Sequence, residues 1–127
     1  MAGKLILIVD DNEKNVKLAR DVLRFAGFET LEAASGEEGI ELARERAPDL
    51  ILMDVRLPGM DGTMAVQLLK SEERTASIPV VALTSFAMKG DRERLIAAGF
   101  DGYLEKPIAV RDFPGQVQSY CESRAPG

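Results

Sequence analysis

Five side chains of this 127-residue sequence could do chemistry together: Asp10, Asp11, Asp54, Thr84 and Lys106. The carboxylates offer hard oxygen ligands or a nucleophile, Lys106 a fixed positive charge, and Thr84 a hydroxyl donor. Three carboxylates beside one ammonium leave an excess of negative charge. Like charges held close raise a carboxyl pKa or recruit a cation. One divalent ion balances the sum, and an oxygen-only set with few protein ligands suits Mg²⁺ with retained waters better than a Ca²⁺ cage. Beside such an ion Asp54 is equipped to attack phosphorus and become an aspartyl phosphate, the metal and Lys106 neutralising the transferring oxygens. The chain has no histidine and one cysteine, Cys121. That removes histidine acid-base pairs and ligands, a phosphohistidine of its own, an internal disulfide and any cysteine-rich metal site.

These residues matter only if the fold gathers them. Short apolar runs recur at Leu5 to Val9, Glu29 to Ala33, Leu50 to Met53, Val80 to Thr84 and Gly102 to Glu105. Segments of helical spacing lie between them. Val16, Ala19, Val22, Leu23 and Ala26 share one helical face; so do Ile40, Ala43 and Ala47, then Ala65, Leu68 and Leu69, and last Val110, Phe113, Val117 and Cys121. A fourth helix, over Met88 to Ala98, is crowded with charge. Ser35 to Glu38 has capping-box spacing. Ala26-Gly27-Phe28 and Ala98-Gly99-Phe100 read as two helix stops with a left-handed glycine and a phenylalanine packing back. Pro114 delays the last helix to near Asp112 or Phe113, or kinks it.

Alternating strands and helices with near-continuous apolar strands predict an α/β fold: a doubly wound five-stranded parallel sheet, order 2-1-3-4-5, helices on both faces. In that order the five chemical residues all fall at the C-terminal ends of strands, where such sheets bind ligands. Singly each has a plainer explanation: turn or cap acids for Asp10, Asp11 and Asp54, a strand hydroxyl for Thr84, a solvated lysine for Lys106. Together on one edge they make a site.

Composition fits one domain over residues 1–127, with a core at about 4–120 and a frayed tail at 121–127. Hydrophobic residues at 46% and charged residues at 29% describe an ordinary globule. The apolar runs are too short to span a bilayer, so no membrane insertion is expected. No signal peptide precedes the first run, which makes a cytoplasmic location the default. A net charge of -5 argues against direct nucleic-acid binding.

With these residues in view, the sequence resembles a response-regulator receiver domain (the CheY-like superfamily, flavodoxin-like in fold) over residues 4 to about 120. The resemblance rests on Ile8 to Asn12, Leu52 to Gly62, Ala82 to Ser85 and Gly102 to Pro107. The stretch Thr84 to Asp91 is similar to single-domain cell-cycle regulators of the DivK type. What the resemblance implies is a two-component or phosphorelay protein, not a conventional enzyme. Asp54 is then the phospho-acceptor, with self-catalysed transfer and slow autodephosphorylation. Mg²⁺, replaceable by Mn²⁺, is held by Asp11, Asp54 and the Arg56 backbone carbonyl, with Asp10 acting partly through water. Lys106 contacts a phosphoryl oxygen, Thr84 donates to the formed phosphoryl group, and Tyr103 turns inward into the space Thr84 leaves. The Lys106-Pro107 bond is cis. Phe86, Met88 and Tyr103 contribute to a partner surface. A histidine kinase or histidine phosphotransfer protein donates, and a downstream protein effector reads the result. Tyr103 also fits a simple packing role on an edge strand.

Rival readings fare worse. A flavin module would not present Asp10-Asp11 to a phosphate, and no dinucleotide or P-loop glycine string occurs. A haloacid-dehalogenase-like phosphatase would carry an acid where Arg56 stands. A degenerate or excised receiver, binding partners without phosphorylation, is the alternative that survives. The chain is expected either to work alone by binding other proteins or to be an excised receiver.

Overall fold

The structure, a computed structural model, describes residues 3–85, 91–106 and 108–122. Five strands, β1 (Leu5–Val9), β2 (Glu29–Ala33), β3 (Leu50–Asp54), β4 (Val80–Thr84) and β5 (Gly102–Glu105), pair in parallel in the order β2-β1-β3-β4-β5. Between them run α1 (Glu13–Phe25), α2 (Gly36–Arg46), α3 (Gly62–Ser71) and α4 (Asp91–Ala98); α5 (Phe113–Glu122) follows β5. This is the predicted doubly wound sheet. Phe86, Met88, the expected start of the fourth helix, Pro107 and most of the 121–127 tail lie outside the described residues.

Strand periodicity builds two cores. Leu7, Val9, Ile51, Met53 and Ala82 point to one face and pack with Ile40, Ala65, Leu69 and Leu95 of α2, α3 and α4. Ile6, Ile8, Leu50, Leu52 and Leu83 point to the other and pack with Ala19, Leu23, Phe113 and Val117 of α1 and α5. Successive side chains of a strand alternate sides, so strands apolar at every position require helices above and below.

Helix ends follow local chemistry. Gly27 and Gly99 have φ of 99° and 118°. Gly27 N donates to Arg24 O and Phe28 N to Leu23 O; Gly99 and Phe100 repeat this with Ile96 and Leu95. Both are the six-to-one, five-to-two closure expected from the paired glycine-phenylalanine stops, and both phenylalanines are buried. The Ser35 hydroxyl accepts from Glu38 N at 3.2 Å, but the Glu38 carboxylate reaches back to Ala34 N, one residue before the cap. Pro114 is the second residue of α5, where no backbone donor is needed, so the helix starts late without a break.

Three assignments of core-facing residues need correction. Val66, not Leu68, joins Ala65 and Leu69 in the core, and Leu68 is 43% exposed. Val110 precedes α5 and so does not share its helical phase; it is exposed. Ala47 is the exposed C-cap of α2 at φ 45°, ψ 61°. Pro48 disfavours the right-handed helical region for the residue before it, and Ala47 stops the helix in the left-handed region instead.

That conformation strains any residue with a Cβ. Ala47→Gly should therefore stabilise the protein by about 0.5–1 kcal/mol, the relieved strain exceeding the added freedom of the unfolded chain. Urea unfolding should show a higher midpoint at unchanged slope.

Candidate functional site

The C-terminal ends of β1, β3, β4 and β5 converge on one crevice. Asp10 follows β1 and is 2% exposed. Its amide extends the ladder to Ala33 O, and its Oδ1 accepts from Asn12 N at 2.9 Å. The cap of α1 is Asn12, whose side chain accepts from Lys14 N and Asn15 N. Asp10 and Asp11 are thus not spent as helix caps. Asp10, Asp11 and Asp54 each bring a carboxylate oxygen within 4.8 Å of the others.

Lys106, just past β5, ties the crevice together. Its Nζ donates to Asp54 Oδ2 at 2.9 Å. It also lies 2.9 Å from Asp10 Oδ2, an ion-pair contact whose geometry makes no hydrogen bond there. Lys106 N donates to Thr84 O at 2.8 Å, which fixes where the lysine leaves the sheet. Thr84 is buried at the end of β4 and lines the same cavity as Asp54 and Lys106, about 730 Å³ in volume.

The acceptor loop is held by backbone contacts. Arg56 N donates to Asp54 Oδ1 at 3.1 Å, and Gly62 N donates to Val55 O at 2.9 Å. A Cβ on Gly62 would stand 2.3 Å from Asp54 O and 2.9 Å from Val55 Cα, so only glycine lets α3 start this close to β3. Asp61 caps α3, accepting from Met64 N at 3.0 Å and from the Thr63 hydroxyl at 2.6 Å. The sequence reading gave no role to Asn12, Asp61 or Gly62. An Asp-Gly pair opening a helix was the available signal for the last two. It counted Asp91 and Arg94 only among the charges crowding the fourth helix, and both line the cavity with Asp54.

Electrostatics separates the two partners of the central pair. Burial pushes the Asp54 carboxyl up; the Lys106 hydrogen bond and the Arg56 amide pull it down, and the Asp10 charge adds to the net rise. For Lys106, burial alone would lower the pKa, but the neighbouring Asp10 and Asp54 carboxylates outweigh it and the net is upward. The ammonium has two carboxylates to itself, whereas Asp54 shares one ammonium with Asp10. The crevice therefore favours the lysine charge and disfavours the Asp54 charge. An acid-rich, oxygen-only set of this kind fits a hard divalent cation.

Tyr103, on β5, is partly buried against the core beneath α2, α3 and α4. It also lines a groove with Ile96, Ile108 and Tyr120. It is thus at once a packing residue and the wall of an accessible surface.

Residues 6–118 match the response regulator receiver domain family, and the chain belongs to it. It is the receiver domain of a response regulator, a component of two-component signalling. It is 48% identical over 117 residues to the polar-differentiation response regulator DivK of Brucella ovis, covering 92% of this chain and 95% of that one. The receiver domain of a sensor histidine kinase from Pseudomonas aeruginosa superposes with a TM-score of 0.87 at 35% identity, covering 96% of this chain and 100% of the other. That structure has a magnesium ion coordinated in its active-site cleft. The chemotaxis protein CheY4 of Vibrio cholerae superposes with a TM-score of 0.87 at 27% identity, over 94% and 99% of the two chains. Among the described residues no helix is long and apolar enough to cross a membrane.

An acid whose pKa stands higher in the folded than in the unfolded state binds its proton more readily when folded. Its ionised form then costs stability above that pKa, and the penalty fades as pH falls through it. In chelator, Asp54→Asn should accordingly be more stable than the parent at neutral pH, with the difference shrinking near about pH 4. Paired urea titrations at the two pH values check both sign and trend.

Proposed function

We propose that this chain takes a phosphoryl group onto Asp54 from the phosphohistidine of a histidine kinase or histidine phosphotransfer protein, in a Mg²⁺-dependent reaction. The observation that carries this reading is the Lys106 ammonium 2.9 Å from both Asp10 and Asp54, beside three clustered carboxylate oxygens. Asp11, Asp54 and the Arg56 carbonyl would hold the ion, with Asp10 contributing partly through water; Mn²⁺ could substitute. The bound ion supplies charge neutralisation at the phosphoryl oxygens.

The chain's own groups do the rest. An Asp54 carboxylate oxygen attacks phosphorus as the phosphorus–nitrogen bond to the donor breaks, its electron pair returning to the imidazole. Lys106 exchanges Asp54 for a phosphoryl oxygen, stabilising charge that grows during transfer. Thr84, already in the cavity wall, donates its hydroxyl to the new group. Tyr103 moves towards the space this opens and alters the surface a downstream protein effector binds; Phe86 and Met88 belong to that surface in this reading. The transfer is self-catalysed and slow hydrolysis then releases the group as inorganic phosphate, so the domain acts as a phospho-acceptor and not as a conventional enzyme. One receiver unit over residues 1–127, acting in the cytoplasm, suits this role.

Purified protein with Mg²⁺ and acetyl phosphate should gain one acid-labile phosphoryl group, lost in Asp54→Ala. Undiminished labelling of that variant would exclude Asp54 as the acceptor. Metal titration should show Asp11→Ala weakened strongly, Asp10→Ala less, and Lys106→Ala unchanged or tighter because a competing cation is gone. Lys106→Ala should nevertheless transfer phosphate poorly. Three variants indistinguishable from the parent in metal affinity and transfer would defeat the roles assigned here.

A further inference from the structure

The turn of α4 that faces the acceptor carries two charges unused in the transfer just described. Asp91 and Arg94 line the cavity that holds Asp54, Thr84 and Lys106. They form an ion pair across one helical turn, the Asp91 side chain 15% exposed and that of Arg94 79%. A carboxylate is a poor wall for a cavity that receives a phosphoryl group, because like charges repel across a partly desolvated space. Its place in the first turn of α4 offsets part of that cost through the helix dipole, and Arg94 supplies the counter-charge.

The pair is poised to be exchanged. An ion pair with one member so exposed is weak. A guanidinium binds a phosphoryl group more strongly, since its planar fork meets two oxygens at once. Phosphorylation of Asp54 makes the cavity more negative, which strains Asp91 and attracts Arg94. Arg94 already lines the cavity, so the swap is a local change of partner.

We propose that Arg94 is a phosphoryl-contacting residue supplied by α4: once Asp54 is phosphorylated, Arg94 leaves Asp91 for the phosphoryl oxygens and screens them from water. This rests on Asp54 being the acceptor. It sets how long the modification lasts. Loss of the group requires a water oxygen to attack phosphorus while the bond to the Asp54 oxygen breaks, its electrons returning to the carboxylate. The products are inorganic phosphate and the original Asp54, with the displaced proton released to solvent. A guanidinium over the exposed oxygens obstructs that approach, and the same contact draws the first turns of α4 towards the site.

The test labels the intact chain with radioactive acetyl phosphate and Mg²⁺, removes the donor, and follows loss of label. Arg94→Ala should lose label several-fold faster than the parent, and Arg94→Lys should recover only part of the difference. Asp91→Asn, which frees Arg94, should hold its label longer. The Mg²⁺ affinity and urea-unfolding midpoint of unlabelled Arg94→Ala should stay near parental values, a split that general loosening of the fold would not produce. An Arg94→Ala protein decaying at the parental rate, or an Asp91→Asn protein decaying no slower, overturns the proposal while leaving the acceptor role of Asp54 intact. A parent that takes up no label overturns both.

Discussion

One ammonium holds this edge of the sheet together. Lys106 leaves β5, passes the end of β4 and reaches carboxylates at the ends of β3 and β1. Strands lie about 4.8 Å apart, so β3 is roughly 10 Å from β5. A long, flexible lysine stem can cross that gap; the short residue beneath its path is Thr84, whose carbonyl anchors the Lys106 amide. A bridge over two strands makes the position of Asp54 depend on the register of the whole sheet. It also explains why the arrangement is charged and tense: two acids are brought from water for one base, and a third lies close by. Burying charges is tolerated when each has a partner, and here two largely buried carboxylates share one ammonium.

Much of this was legible in the sequence, and for a definite reason. A parallel sheet puts every strand's C-terminal end on one side, so five polar residues at strand ends became neighbours as soon as the strand order was read. Periodicity recovered the elements, and the glycine-phenylalanine stops were recovered down to the left-handed glycine and the buried phenylalanine because that chemistry is local. What escaped was decided by contact. Leu68 and Val66 are both reasonable core residues by spacing, and only the direction in which α3 settles on the sheet chooses between them. Ala47 gives no hint of a left-handed backbone; Pro48 beside it does. Gly62 is required by an approach of α3 to the Asp54 carbonyl that no one-dimensional pattern reports.

That approach has a chemical consequence. Asp54 is the last residue of β3, and within eight residues the chain must turn, cap a helix and come back against its own starting point. The hydrogen bond from Gly62 to Val55 closes the loop, Asp61 caps α3, and the Arg56 amide is left facing Asp54 Oδ1. One carboxylate oxygen is thus pinned by the backbone and the other by Lys106. Only a rigid loop can present an acid with both oxygens assigned, and the missing Cβ at Gly62 makes the loop that tight.

The rest of the molecule divides by how firmly each element is tied to this edge. Three described helices on one face share a core, but α2 and α3 each bury several residues in it, whereas α4 buries Leu95 alone. Few buried contacts mean a low cost of local rearrangement, and elements that move are drawn from that end of the stability range. A change of charge at Asp54 therefore meets stiff resistance from β3 and α3 and little from α4. Lys70 adds to the contrast: it donates to Ile78 O and to Asp101, which in turn accepts from Val80 N, fastening α3 to the starts of β4 and β5 at the opposite edge. With that edge fixed and the acceptor loop closed, the energy of a new anion can be released chiefly through the lightly held helix whose first turn already borders the site. A ligand moves a two-state element only by the difference in its contacts with the two states. The charged first turn of α4 is where such a difference can arise.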